Sequence, residues 1–182
     1  MRCIDTSIPA VKIIEPDVFV DERGYFFESY NSCKLASFGI NCDFVQDNQS
    51  CSSYGVIRGL HCQVGSHAQA KLVRVIAGEV LDVAVDVRPD STTYGKHISV
   101  VLSAKNNKQL FVPRGFLHGF SVLSDSCILA YKCDNMYCKE AERSVRYNEP
   151  TLAINWRIAA ESAIVSAKDL AAGGMADVAY YG

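Results

Sequence analysis

The chain has 182 residues, 18 Lys and Arg against 20 Asp and Glu for a net charge of −2, with 49% hydrophobic and 21% charged residues. That is the balance of an ordinary soluble globular chain, long enough for one domain with a sizeable core. It lacks the basic excess of a nucleic-acid binder, and no run approaches the roughly 18 apolar residues of a membrane helix. The N-terminal MRCIDTSIPAVKIIEP has neither a long apolar run nor a small-residue cleavage pattern. No signal peptide is expected from it, and the chain is read as cytoplasmic.

In chain order, VFVDERGYFFESY predicts a hairpin with Arg23-Gly24 near its turn, and NSCKLASFGI one short helix. VIRGLHCQ, residues 56–63, reads as a short strand, and AKLVRVIA as another, with Gly78 at the junction to the next. EVLDVAVDVRP alternates strictly: Leu81, Val83, Val85 and Val87 fall on one face, Asp82, Ala84 and Asp86 on the other. Period two over that length predicts a half-buried strand. KHISVVLS, KQLFVP, HGFSVL and CILAYKC continue the β pattern, separated by RPDSTTYG, AKNN, PRG and LSDS. The tail ESAIVSAKDLAAGGMAD is Ala-rich and expected to be partly helical. Short strands with turn formers this close together predict an all-β sandwich or barrel, whose mouth is a natural small-molecule site. No linker, repeat or low-complexity block divides the chain, so residues 1–182 are expected to form one domain.

The eight cysteines, Cys3, Cys33, Cys42, Cys51, Cys62, Cys127, Cys133 and Cys138, contain no CxxC pair. In a reducing compartment they are expected to be thiols serving as small hydrophobes rather than a disulfide or zinc framework.

Four positions are candidates to carry chemistry. His61, alone in its strand, is by itself as ordinary as any hydrogen-bonded structural histidine, but Arg58 precedes it and Gln63 follows. Arg58 and His61 have opposite parity in an ideal strand; a bulge at Gly59 would aim both inward. Lys71 shares parity with Val73 and Val75, and a lysine facing a barrel interior is costly unless paired or functional. Tyr131 shares parity with Cys127 and Leu129, which makes it either a plain strand tyrosine or a phenol in the cavity. His118 follows a Pro-Arg-Gly turn and could simply stabilise it. Metal-binding cupins usually supply an HxH pair, and here the sequence is His61-Cys62-Gln63, so no metal site is expected. GxGxxG, P-loop, GxSxG and HExxH motifs are absent. A base, a lysine, arginines and a tyrosine in a barrel suit proton transfer beside a carbonyl with an anionic group bound nearby.

FVDERGYFFESYN, FVQDNQSCSSYGVIRGLHCQ, QAKLVRVIAGEVLDVAVDVRPDSTTYG, VPRGFLHGF and YNEPTLAINW, in that order, resemble the dTDP-4-dehydrorhamnose 3,5-epimerase family over nearly the whole chain. The resemblance implies a cupin-type jelly roll of antiparallel strands, its core spanning about residues 45–150, with the N-terminal hairpin segment and a helical tail packed on it. It implies a homodimer, no metal or organic cofactor, and epimerisation at C3 and C5 of dTDP-4-keto-6-deoxy-D-glucose through an enolate, in dTDP-L-rhamnose biosynthesis. By position, His61 matches the family's base, Asp169 in SAKD the carboxylate paired with it, Tyr131 the acid on the opposite face and Lys71 the enolate-stabilising residue. Arg58 matches a contact near the sugar and diphosphate. Arg23, Glu28 and Phe19 match nucleotide contacts made in the partner subunit's site, and Gln46 and Asn48 further nucleotide contacts. His118 matches a second active-site histidine; Tyr137 and Arg146 match weaker positions.

The chain departs from the family pattern in VGSHAQAK, where His67 is expected to be a solvated loop residue, in YNEP, and in a tail without the usual proline. Two other readings remain open at this point: a related cupin that epimerises only C3 or only C5, or isomerises the ketone between C4 and C3, and a non-catalytic sugar-binding jelly roll.

Overall fold

The period-two runs become strands, and two six- and five-stranded paths of them face each other. The structure is a computed structural model that describes residues 1–178, so residues 179–182 of the expected domain lie outside the described ones. The strands are β1 (Arg2–Asp5), β2 (Lys12–Glu15), β3 (Phe19–Asp21), β4 (Gly24–Phe26), β5 (Gln46–Ser53), β6 (Val56–Gln63), β7 (Lys71–Ala77), β8 (Glu79–Asp86), β9 (His97–Ser103), β10 (Gln109–Val112), β11 (Phe116–Val122), β12 (Ser126–Cys133), β13 (Glu142–Ser144) and β14 (Ile164–Val165). The helices are α1 (Ser32–Ser37) and α2 (Ala167–Leu170).

One sheet runs β1-β2-β10-β7-β12-β5, the other β13-β6-β11-β8-β9, with β14 added in parallel to β6. Every other named pairing is antiparallel, and the result is a cupin-like jelly roll. Val73, Val75, Val80, Ala84, Leu102, Leu110, Phe116, Phe120 and Leu129 fill the space between the sheets. Against the outer face of the first sheet lies α1, whose Leu35 packs with Leu72 and Phe111. Asn31 caps that helix by accepting a bond from the Lys34 N–H at 3.0 Å.

The outer face of the second sheet is covered as well, and this corrects the expectation for EVLDVAVDV. That strand is buried on both faces rather than half-buried. Leu81, Val83, Val85 and Val87 pack outward under Leu152, Trp156 and Val178 of the C-terminal segment. Each such side chain contributes about 1.5–3 kcal/mol of burial. Asp82 and Asp86 therefore turn away from solvent, both fully buried. Asp86 is satisfied by Arg88, Ser91 and Thr93. The covering segment is fastened by two bonds at Trp156: its indole Nε1–H donates to the Tyr147 carbonyl at 2.7 Å, and its backbone carbonyl accepts the Ser121 Oγ–H at 2.6 Å.

Little of the tail is regular helix. It holds the four-residue α2 and short 3-10 turns at Ala160–Ser162 and Met175–Val178. Its apolar residues are spent on lying flat over the sheet instead of forming one amphipathic stripe.

Candidate active site

The site begins at an irregularity in β6. His118 of β11 stands opposite His61, but Phe120 stands opposite Arg58, so β6 carries one residue more than β11 over the same stretch. This is the bulge that the sequence pattern asked for at Gly59. Gly59 has φ +119, and a Cβ there would meet the Gly119 Cα at 2.6 Å; a Cβ on Gly119 would meet the Arg58 carbonyl at 2.7 Å. Two facing glycines let the strands touch. The extra residue restores Arg58 and His61 to one face while Ile57, Leu60 and Cys62 pack on the other. Leu60 is held by paired backbone bonds to Val145, 3.0 Å each.

Asp169 reaches this bulge from α2. Its Oδ1 lies 2.7 Å from His61 Nε2, and its Oδ2 accepts the Gly59 N–H at 3.4 Å. Ser166 caps the turn, accepting the Asp169 N–H at 3.1 Å. Burial works to raise the Asp169 carboxyl pKa, but the His61 bond and charge, with bonds from Gly59 and Ser166, bring it below the ordinary carboxylate value. An ionised carboxylate only accepts, so His61 Nε2 carries the proton and the Nδ1 lone pair is left available.

The opposite wall comes from the first sheet. Lys71 and Tyr131 share the inward face with Val73 and Leu129, and the Lys71 ammonium lies 5.8 Å from the Tyr131 ring centre. Burial lowers the Lys71 pKa, partly opposed by Cys133, Cys62, Asp82 and Glu142. Burial likewise raises the Tyr131 pKa, which keeps the phenol a neutral O–H donor. The Tyr131 and His118 rings are 6.5 Å apart. His118 is not a turn residue: it sits within β11, buried, with Nε2 2.9 and 3.0 Å from the two Asp82 oxygens. Asn48 stands beside Tyr131 in register, its amide donating to Cys133 Sγ at 3.6 Å, and Gln46 donates to Asn48 Oδ1 at 3.1 Å. Arg58 Nε donates to Ser52 Oγ at 3.1 Å.

The His61–Asp169 pair, with the histidine on one sheet, thus stands across from the phenol of Tyr131 and the ammonium of Lys71 on the other. The family model for dTDP-4-dehydrorhamnose 3,5-epimerase matches residues 5–177. The chain belongs to the dTDP-4-dehydrorhamnose 3,5-epimerase family. It is 46% identical over 182 residues to the dTDP-4-dehydrorhamnose 3,5-epimerase of Shigella flexneri, covering 100% of this chain and 99% of that one. Its structure is similar to that of the dTDP-4-dehydrorhamnose 3,5-epimerase from Elizabethkingia anophelis, with 52% identity, a TM-score of 0.95 and 99% of each chain covered. It is also similar to a dTDP-6-deoxy-D-glucose-3,5-epimerase from Legionella pneumophila in complex with dTDP-4-keto-L-rhamnose, with 47% identity, a TM-score of 0.93, and 97% of this chain and 94% of that one covered.

Other positions matched to epimerase site residues lie outside the barrel of this chain. Phe19, Arg23 and Glu28 belong to the β3–β4 hairpin and its exit; Phe19 is exposed, Arg23 pairs with Asp21, and Glu28 pairs with Lys34 at 2.9 Å. The hairpin itself forms as predicted, with Phe19 opposite Phe26. Tyr137 is at the rim, its N–H donating to Gln46 Oε1 at 3.0 Å and its hydroxyl to Glu142 Oε2 at 2.6 Å. Arg146 is engaged with Glu149 and the Gly173 carbonyl, which hold the C-terminal segment down. His67 is exposed in a 3-10 turn. Among the described residues no group of three or more His, Cys, Asp or Glu side chains is arranged to hold a metal ion, and no helix is long and apolar enough to cross a membrane.

Asp82, the buried partner of His118, is the residue that the sequence pattern misplaced. The signal for it was present, an acid in the middle of an apolar run, but period two alone put it on a solvent face.

Proposed function

We propose that the protein converts dTDP-4-dehydro-6-deoxy-D-glucose to dTDP-4-dehydro-L-rhamnose by proton exchange at C3 and C5, supplying dTDP-L-rhamnose biosynthesis. The observation that carries this is the opposition of the His61–Asp169 pair on one sheet to Tyr131 and Lys71 on the other.

The C4 ketone acidifies the hydrogens on C3 and C5. His61 takes one of them on Nδ1, and Asp169 stabilises the imidazolium that results. The electron pair moves onto the C4 oxygen, where the Lys71 ammonium stabilises the oxyanion in a site dry enough for the charge to count. Tyr131 returns a proton to the same carbon from the opposite face, which inverts it. Proton exchange with solvent restores neutral His61 and the Tyr131 phenol, and the second carbon follows by the same route. Arg58 suits the diphosphate through its guanidinium fork. Gln46 and Asn48 supply amide contacts to the nucleotide, and His118, held by Asp82, borders the sugar.

The working form is a homodimer in which Phe19, Arg23 and Glu28 of each hairpin complete the partner's nucleotide site. Supporting this, Phe19, Val20, Tyr25 and Phe26 leave 62–78% of their surface exposed on one small hairpin, more apolar surface than a lone monomer usually presents in one place. None of the eight cysteines is in a disulfide, in keeping with a cytoplasmic enzyme.

The test is incubation with dTDP-4-keto-6-deoxyglucose in D2O. Deuterium is expected at both C3 and C5. Incorporation at one carbon would make the enzyme a single-site epimerase, and none at either would sink the assignment.

A further inference from the structure

β6 ends on Gln63, two residues past His61 and on the same side of the strand. Glu142 of β13 stands opposite Gln63, as Ser144 stands opposite His61. The Gln63 side chain is therefore on the barrel-facing side, about 7 Å along the strand from the histidine. It is buried, with 6% of its surface exposed.

A carboxamide has an acceptor end and a donor end, and here the two ends fare differently. Gln63 Oε1 accepts the Cys138 N–H at 2.9 Å. Cys138 lies in the loop between β12 and β13, and the preceding amide, that of Tyr137, donates to Gln46 Oε1 at 3.0 Å. Two glutamines, one from each sheet, thus hold consecutive amides of the rim loop. They differ at the donor end. Gln46 Nε2 donates to Asn48 Oδ1 at 3.1 Å. Gln63 Nε2 has no partner among the described residues.

The acceptor opposite it is already committed. Glu142 Oε2 accepts the Tyr137 hydroxyl at 2.6 Å, and Oε1 pairs with the Lys168 ammonium. Nor is the Gln63 amino group sealed in protein: Nε2 is not among the enclosed atoms that lack a partner, so it opens on accessible space. The Cys138 bond fixes which way the amide faces, because only its oxygen can accept an N–H. Donors on a buried side chain are costly to leave unpaired, and a few such groups, held in place, orient the ligand of a cavity.

We propose that Gln63 is a further substrate-binding residue, donating through Nε2 to an acceptor oxygen of the dTDP-sugar beside His61. The rim loop fixes the amide, and the substrate completes its hydrogen bonding. This role rests on the dTDP-sugar binding proposed above and adds to it a donor on the strand that carries the base.

Full-length wild type, Q63M and Q63E are titrated with dTDP and with dTDP-glucose, which lacks the ketone and is not turned over. Q63M is expected to weaken dTDP-glucose binding about 5- to 10-fold, the loss of a hydrogen bond, and to raise KM for the keto-sugar similarly with kcat within about twofold of wild type. An equal loss with dTDP places the acceptor on the nucleotide; a loss confined to dTDP-glucose places it on the sugar. Q63E separates the donor from the rim bond. Its carboxylate still accepts the Cys138 N–H, so that amide stays protected from hydrogen exchange, but it cannot donate. It is expected to bind no better than Q63M in high salt, where remote charge is screened. The direct reading is the Gln63 NH2 pair in proton–nitrogen correlation spectra of wild type, identified by its absence from Q63M and expected to move downfield as ligand binds. The proposal is overturned if that pair stays in place, or if Q63M or Q63E binds both ligands within about twofold of wild type. The titrations need no turnover. Wild-type protein that binds dTDP-glucose but fails to epimerise the keto-sugar would overturn the activity and leave the binding role of Gln63 standing on its own measurements.

Discussion

Asp169 holds His61 across 108 positions of chain, with Oδ1 2.7 Å from the ring Nε2 and Oδ2 on the Gly59 N–H. The carboxylate thus secures both the imidazole and the bulge that aims it. Replacing His61 by Ala is expected to lower kcat about 10²–10⁴-fold, the usual worth of a general base. D169N keeps the shape and loses the charge, so it is expected to fall less steeply in kcat. Steady-state rates of the two variants at unchanged Tm check this; a fully active His61→Ala enzyme would remove the histidine from the mechanism.

The Asp169 pKa is depressed in the folded protein. Its contribution to stability is therefore present above the unfolded carboxylate pKa and lost as pH falls through the folded value. D169N is expected to flatten the acid side of the Tm–pH curve below about pH 4, measured by thermal melts against wild type.

Burial lowers the Lys71 pKa below its ordinary 10.5. The proposed route needs an ammonium at the oxyanion, so activity is expected to fall as pH rises through that lowered value, before a solvent lysine would titrate. The folding effect has the opposite slope: between the folded and unfolded pKa the unfolded chain binds the extra proton, so stability from this group rises with pH. K71M is expected to remove the alkaline limb attributable to the lysine while lowering kcat throughout, read from pH–rate profiles of both proteins.

Asp82 and His118 are a buried pair, their side chains 0% and 6% exposed. D82A leaves His118 without its partner and is expected to destabilise the fold by about 3 kcal/mol. For a chain of this length that is a fall in Tm of roughly 6–12 °C, measured by calorimetry. D82N, which keeps one hydrogen-bond acceptor, is expected to fall less.

Gly119 has no need of a positive φ, so G119A tests the close approach alone. Its methyl would press on the Arg58 carbonyl at 2.7 Å and on Leu60. Forcing the strands apart is expected to cost about 1–3 kcal/mol and to lower kcat/KM by misaligning Arg58 and His61. Thermal melts and steady-state kinetics on one preparation check both effects.

The exposed hairpin carries the dimer prediction. V20D with F26D places charge on side chains that are 78% and 71% exposed in this chain. The double variant is expected to run as a monomer by light scattering, with Tm little changed and kcat/KM reduced. A variant that remains dimeric and fully active would place the interface elsewhere.

Much of the site was legible from parity. Lys71 with Val73 and Val75, and Tyr131 with Cys127 and Leu129, fell on the inner face because a strand offers only two faces and one was apolar. The same rule misread Asp82, because both faces of β8 are covered and the valine-rich face is the outer one. Gly59 was legible only as the position where a bulge could act; that one occurs depends on the one-residue offset against β11. The hairpin over residues 19–26 was legible as an element, while the exposure of Phe19, Val20, Tyr25 and Phe26 on it was not.

Local order was therefore determined by the sequence itself: which runs become strands, which residues of each run share a face, and where glycine permits two backbones to touch. These depend on backbone geometry and on neighbours a few positions away. Only the tertiary structure decided that Asp169 meets His61, that Asp82 meets His118, and that Glu142 stands between Tyr137 and Lys168. Each of those meetings joins residues from different elements, and a carboxylate finds its partner only when sheet packing removes water from around both.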